Sequence, residues 1–293
     1  MSDYESLRTG RGTVAGLHGL IWVTGADAVV FLDSLLSQNV AGIAEGAVAR
    51  SLLLAPNGKL RAALWVLRDA DRIGLMCDAG RVDAVIGDLS RFRIRVDADI
   101  VADHRPVWDV LGPETDLVVP SPPRAWTDDG ATLIADVPFA HSPLPRRVVA
   151  GSQPSADLVD VAAVTAVRIE VGEPVVGVDL DDRTIPQETG DVAAAVDFTK
   201  GCYLGQELVA RIDSRGHVNR RLAGLIFTSP DSPPVGSAIL HEGNEIGLLT
   251  SVAYSACLAA PVGLALVRNA VDDNAQIVVD GRHGRLASVP IRA

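Results

Sequence analysis

Lysine is nearly absent from the 293 residues: only Lys59 and Lys200 occur, against 24 arginines. Positive charge of any kind is outnumbered, and the formal net charge is -11. Such a chain lacks the broad positive field that non-specific nucleic-acid binding needs, so no direct nucleic-acid partner is expected. Cysteine is scarce too. Cys77, Cys202 and Cys257 cannot build a disulfide framework, and the expected compartment is a reducing cytoplasm. No run of about 18 uncharged apolar residues exists, so no membrane-spanning helix and no membrane partner are expected. The opening MSDYESLRTGRG has neither a basic n-region nor an apolar h-region. It reads as a loose tail rather than a secretory signal. The six histidines (18, 104, 141, 217, 241, 283) form no H-x-x-x-H pair, so no metal site is expected. The absence of C-x-x-C argues against a thiol-redox protein. The absence of G-x-G-x-x-G after a strand argues against a dinucleotide-binding enzyme.

What is present is globular: 48% hydrophobic residues with 22% charged excludes disorder. The length favours more than one domain. GLIWVTGAD at 19–27 reads as a strand, and Asp27 opens an amphipathic helix, AVVFLDSLLSQNV. SLLLAPNGKLRAALWVLRD at 51–69 reads as a hairpin turning at Pro56-Asn57-Gly58. A strand at 72–79, a helix at 83–92 and a strand at 93–101 complete an α+β unit. A helix is expected around 156–169. From 218 onward short strands alternate with turns, which is all-β, sandwich or small barrel. The expected division is 1–105, 106–217 and 218–293.

Residues 168–221 concentrate polar and turn-forming side chains without simple periodicity, which suggests a shaped site in loops. At their centre is Lys200-Gly201-Cys202-Tyr203-Leu204-Gly205-Gln206-Glu207. Cys202 precedes good helix sequence, where unpaired amides and the helix dipole favour a thiolate. A cysteine there is a nucleophile, a redox centre or a soft-metal ligand, or else a buried small hydrophobe. Lys200 adds charge two residues away, or is solvated. Cys77 and Cys257 fit the hydrophobe reading better.

This octapeptide resembles the K-G-C-Y-x-G-Q-E signature of the YgfZ folate-binding proteins, relatives of the glycine cleavage T-protein (aminomethyltransferase). Thr24-Gly25-Ala26-Asp27, Gly58-Lys59, Arg168-Ile169-Glu170-Val171-Gly172 with Pro174, Asp179 and Ile185-Pro186-Gln187-Glu188 extend the resemblance from about residue 20 to the C-terminus. The resemblance implies two α+β domains and a C-terminal β-barrel around a central funnel that holds tetrahydrofolate. It implies a role in assembly or repair of iron–sulfur proteins, including client enzymes that modify tRNA. Cys202 would be the reactive group and Lys200 would tune it. Glu170 would accept paired N–H bonds from the pterin edge. Arg168, Tyr203, Gln206 and Arg211 would complete the folate site, and Arg215, Arg220 and Arg221 extend a basic cluster suited to the folate tail. His18 lies beside the first strand and belongs to no motif.

The main alternative is a folate-dependent aminomethyltransferase or demethylase. T-proteins follow their hairpin glycines with an acidic pair. Here those positions are Ala62 and Ala63, and alanine can neither move a proton nor stabilise an iminium.

Overall fold

The computed structural model describes residues 2–216 and 218–292; His217 and the side chain of Arg215 lie outside the described residues. The N-terminus is not the loose tail its composition suggested. Ser2 caps helix α1 (Asp3–Thr9) through a reciprocal box with Glu5, which pairs amides that a helix start otherwise leaves free. The chain continues as β1 (Gly12–Ala15), β2 (His18–Thr24), α2 (Ala28–Leu35), β3 (Val48–Leu54), β4 (Leu60–Arg68), β5 (Arg72–Asp78), α3 (Val82–Ser90) and β6 (Asp99–Ala102). Helix α2 stops at Leu35, short of the expected run to 40, because Leu36 is already extended. Of the strand expected at 93–101 only the last residues pair, since Arg95 adopts a positive φ of 58° that a strand cannot continue through.

These strands form an antiparallel sheet in the order β3-β4-β5-β2-β6. Its outer face is covered by α2 and α3, whose Leu32, Leu35, Val85 and Leu89 pack against Ile21, Leu64, Val66 and Leu75. A second sheet contains β7 (Val107–Leu111), β8 (Trp126–Asp128), β9 (Leu133–Asp136) and β10 (Arg146–Ala150). Its order is β1-β7-β10-β9-β8, so the first strand of the chain joins the second sheet, not the first. The sheets share one core. Leu20, Trp22, Trp65 and Met76 of the first meet Trp126, Leu133, Val148 and Ala150 of the second. Helix α4 (Val161–Val171) lies on the second sheet through Val164, Val167 and Val171. It begins and ends later than expected. The Asp160 side chain accepts the Ala162 amide at the start, and Gly172 takes the left-handed conformation at the end.

Short helices α5 (Val192–Ala195) and α6 (Gln206–Arg215) lead into the all-β region: β11 (Arg220–Phe227), β12 (Ala238–His241), β13 (Asn244–Leu248), β14 (Ser251–Ser255), β15 (Ala260–Arg268), β16 (Gln276–Val279) and β17 (Arg282–Ala287). The order β11-β17-β16-β12-β13-β15 closes on itself through β11–β15, giving a six-stranded barrel with β14 appended. Closure removes the exposed edges an open sheet would carry. Leu225, Phe227, Ile239, Val267 and Leu286 fill it. The architecture is therefore α+β with a C-terminal barrel.

Candidate functional site

A cavity of about 230 Å³ lies between the two sheets and the end of α4. Its apolar wall comes from Leu17, Leu111, Phe139, Val164, Pro174 and Val175. Its polar groups are His18, Asp78, Arg146, Arg168 and Glu173. They converge because each sits at a strand or helix end that reaches the same space: β2, β5, β10 and α4.

Glu173 organises this wall. It is buried, and its Oε1 accepts from Arg50 Nη2 at 3.3 Å and Arg146 Nη2 at 3.5 Å, while Oε2 accepts from the Ala140 amide at 3.3 Å. Burial alone would push this carboxyl up. Arg50 and Arg146 outweigh it, with the Ala140 N–H and His18 assisting, and hold it down at about 2. Arg50 also donates from Nε to Asp191 Oδ2 at 2.6 Å and lies 4.9 Å over the Trp65 ring. Arg146 donates from Nε to the Val137 carbonyl at 2.8 Å and lies 4.2 Å over Phe139. Both arginines are thus engaged on every side, as buried cations must be. Asp78 differs. Burial pushes its carboxyl up, against the pull of His18, the Val176 amide and Arg50. His18 Nδ1 lies 2.7 Å from Oδ1 of the fully buried Asp109. Behind Arg50 a void of about 10 Å³ is bordered by Ala63, His141 and Asp191. His141 Nε2 and Asp191 Oδ1 have no hydrogen-bond partner there.

The signature octapeptide forms a clamped loop ahead of α6. Lys200 Nζ donates to the carbonyls of Asp33 (2.5 Å), Leu36 (2.9 Å) and Gln38 (2.8 Å), beside the Asp33 carboxylate at 3.2 Å, and its side chain is 1% exposed. These are carbonyls at the C-terminal end of α2, where a helix leaves acceptors unpaired and its dipole favours a cation. Three donors on one nitrogen meet three acceptors, which the planar fork of arginine could not do. Its N–H groups are thus all committed to these backbone carbonyls. Gln206 also serves the loop, its Oε1 accepting the Tyr203 amide at 3.0 Å. The Tyr203 ring packs against the cluster of Leu52, Leu54 and Leu60, and burial pushes its phenol up to about 12. Gly205 (φ 78°) and Gly58 (φ 78°) bring the loop and the β3–β4 turn together. A Cβ on Gly205 would stand 2.6 Å from the Ala55 carbonyl oxygen, and one on Gly58 2.5 Å from Leu208 Cβ. Cys202 is exposed on this loop, and it does not border the central cavity. Arg211 is exposed on α6.

Of the expected folate residues, only Arg168 borders the cavity. It donates to Asp179 Oδ2 and the Glu173 carbonyl from Nη1, and to Ser251 Oγ from Nη2. Glu170 faces elsewhere. Two residues along a helix turn about 200°, so Arg168 and Glu170 cannot share one cavity. Glu170 Oε1 accepts from Tyr4 Oη at 2.6 Å, Oε2 lies 3.6 Å from Arg8, and the carboxyl borders a separate cavity of about 540 Å³. The carboxylate that the end of α4 brings to the central wall is Glu173, three residues on, just past the Gly172 cap. Arg50, Asp78, Asp109 and Arg146 were missed as well. The signal available for Arg50 was a lone charge within the apolar strand VARSLLL.

Among the described residues no group of three or more His, Cys, Asp or Glu is placed to hold a metal, and no helix is long and apolar enough to cross a membrane.

Residues 220–292 match the glycine cleavage T-protein C-terminal barrel domain. The chain is 24% identical to an aminomethyltransferase of Corynebacterium aurimucosum, covering 97% of this chain and 86% of that one. It is 27% identical to the tRNA-modifying protein YgfZ of Enterobacter sp. strain 638, covering 74% and 72%. A mitochondrial iron–sulfur cluster assembly factor IBA57 homologue of Chaetomium globosum is 25% identical over 80% of this chain, which spans 60% of that longer protein. Among solved structures, glycine cleavage system aminomethyltransferase T from Bartonella henselae superposes with a TM-score of 0.89 at 20% identity, covering 98% of this chain and 88% of that one. The two sheets, the closing barrel and the cavity between them thus define a protein of the aminomethyltransferase T fold. Within that class the barrel match and the similarity over most of the chain support a YgfZ/GcvT-like family.

Proposed function

We propose that the protein is a tetrahydrofolate-binding accessory factor of the YgfZ type. In this reading it acts in assembly or repair of iron–sulfur proteins in the cytoplasm, and reaches tRNA modification only through client enzymes. The central cavity suits one face of such a ligand. At about 230 Å³ it falls below the roughly 300–1,000 Å³ of sites that enclose a whole drug-sized molecule, so it would take a ring system and leave the tail outside. Phe139, Leu111 and Val175 offer apolar surface, and Asp78 and His18 offer polar groups to ring N–H donors. A bound reduced folate would supply a ring nitrogen able to carry a one-carbon unit.

The observation that carries the reading is Ala63. The hairpin borders the void behind Arg50 there, beside Asp191, and the surface it presents is a methyl group. This supports binding without aminomethyl transfer. Cys202 is the reactive group in this reading. Its exposure suits a reaction with a client rather than with a ligand enclosed between the sheets. The Lys200 clamp and the Gln206 bond hold the thiol's loop in shape.

Cys202→Ser is expected to fold normally and to fail to restore iron–sulfur enzyme activity in a strain lacking the protein. Full complementation by this variant would remove the thiol from the mechanism. Robust turnover with an aminomethylated carrier protein would instead favour the transferase reading.

A further inference from the structure

His18 is held in a way that fixes what its ring can do. Its Nδ1 lies 2.7 Å from Asp109 Oδ1, and Asp109 is fully buried, with its other oxygen unpartnered. A buried carboxylate with one partner retains its charge only if that partner donates a proton to it. The contact thus favours a proton on Nδ1, and in the neutral ring Nε2 then keeps its lone pair. Nε2 makes no hydrogen bond to the described residues, and His18 borders the central cavity. The pair spans the two sheets, since His18 opens β2 and Asp109 lies in β7.

We propose that His18, set in its tautomer by Asp109, is the cavity's hydrogen-bond acceptor for its ligand. It selects a heteroaromatic ring that presents an N–H donor, such as a lactam or amidine edge. Asp109 is a positioning residue. The proposal takes its ligand class from the folate reading above, while the orientation of the imidazole stands without it.

The charged groups around the ring come from every neighbouring element: Asp109 from β7, Asp78 at the end of β5, Arg146 from β10, and Arg168 and Glu173 from the end of α4. A protonated ring offers an N–H at Nε2 in place of the lone pair, so only the neutral imidazole can accept from an N–H ligand.

Two measurements test this. The first is the ¹⁵N spectrum of the His18 imidazole in the ligand-free protein. The expected tautomer is Nδ1–H, and a neutral ring protonated at Nε2 would overturn the proposal. The second is tetrahydrofolate affinity between about pH 5 and 8. The wild type is expected to bind more weakly toward acid. His18→Gln retains an acceptor, and should bind within about tenfold of wild type at the alkaline end and lose the dependence. Asp78→Asn should retain it. The same slope in His18→Gln would overturn the proposal. An Nδ1–H tautomer in a protein that does not bind tetrahydrofolate would support the imidazole assignment and remove the folate reading, so the two fail separately.

Discussion

Lys200 and Arg50 show how differently a buried cation can be used. Lys200 is one of only two lysines in the chain, and its ammonium closes the end of α2 with three carbonyl bonds. Burial lowers its proton affinity, and Asp33 opposes that shift. Lys200→Met would keep the stem and strand three acceptors. We expect a loss of about 2–3 kcal/mol in urea unfolding, with no rescue by Lys200→Arg. An unchanged midpoint would return Lys200 to the solvated loop residue that its sequence also allowed. The motif made Lys200 visible, but its role was not. Sequence adjacency pointed to Cys202, whereas the ammonium reaches back across 162 to 167 residues to α2. Glu170 makes a related point: a motif groups residues by sequence, and helical twist decides which of them face the same space.

Elements with strong local signals were legible. The β3–β4 hairpin, the helical stripe of α2 and the succession of short strands after 218 follow from periodicity and turn residues, which are local properties. The α1 helix was hidden because its seven residues carry little periodicity. Its capping box was the sign that could have revealed it. What joins elements was not legible. The Gly58–Gly205 contact brings the hairpin turn against the signature loop, and neither glycine announces its partner. Gly205→Ala would combine a left-handed φ of 78° with a Cβ 2.6 Å from the Ala55 oxygen. We expect it to cost about 1–3 kcal/mol and to raise hydrogen exchange in both 55–59 and 200–206. Loosening confined to one of the two segments would show that the contact does not couple them.

At the scale of the molecule, the central cavity is assembled from single residues at positions 18, 78, 146 and 173, with Arg50 and Asp109 behind them. Each lies in a different element, so no window of sequence contains the site. The same wiring ties the layers together, since Glu173 receives Arg50 from the first sheet and Arg146 from the second. Its carboxyl lies at about 2 in the folded protein against an ordinary 4.5. The folded state therefore binds this proton more weakly than the unfolded chain. The stability it contributes is complete above about 4.5 and is lost as the pH falls toward 2. Burial raises Asp78, which acts in the opposite sense. We expect the urea midpoint to fall through that window in wild type and less steeply in Glu173→Gln. Equal slopes would remove Glu173 as the acid-sensitive link.

The central claim is that the cavity between the sheets binds a reduced folate and that Glu170 has no part in it. Titration calorimetry with tetrahydrofolate on wild type, Asp78→Asn and Glu170→Gln tests it most directly. The account predicts saturable one-to-one binding by wild type, the same affinity in Glu170→Gln, and at least about tenfold weaker binding in Asp78→Asn. Absence of binding by wild type, or a loss that follows Glu170 and spares Asp78, would contradict it.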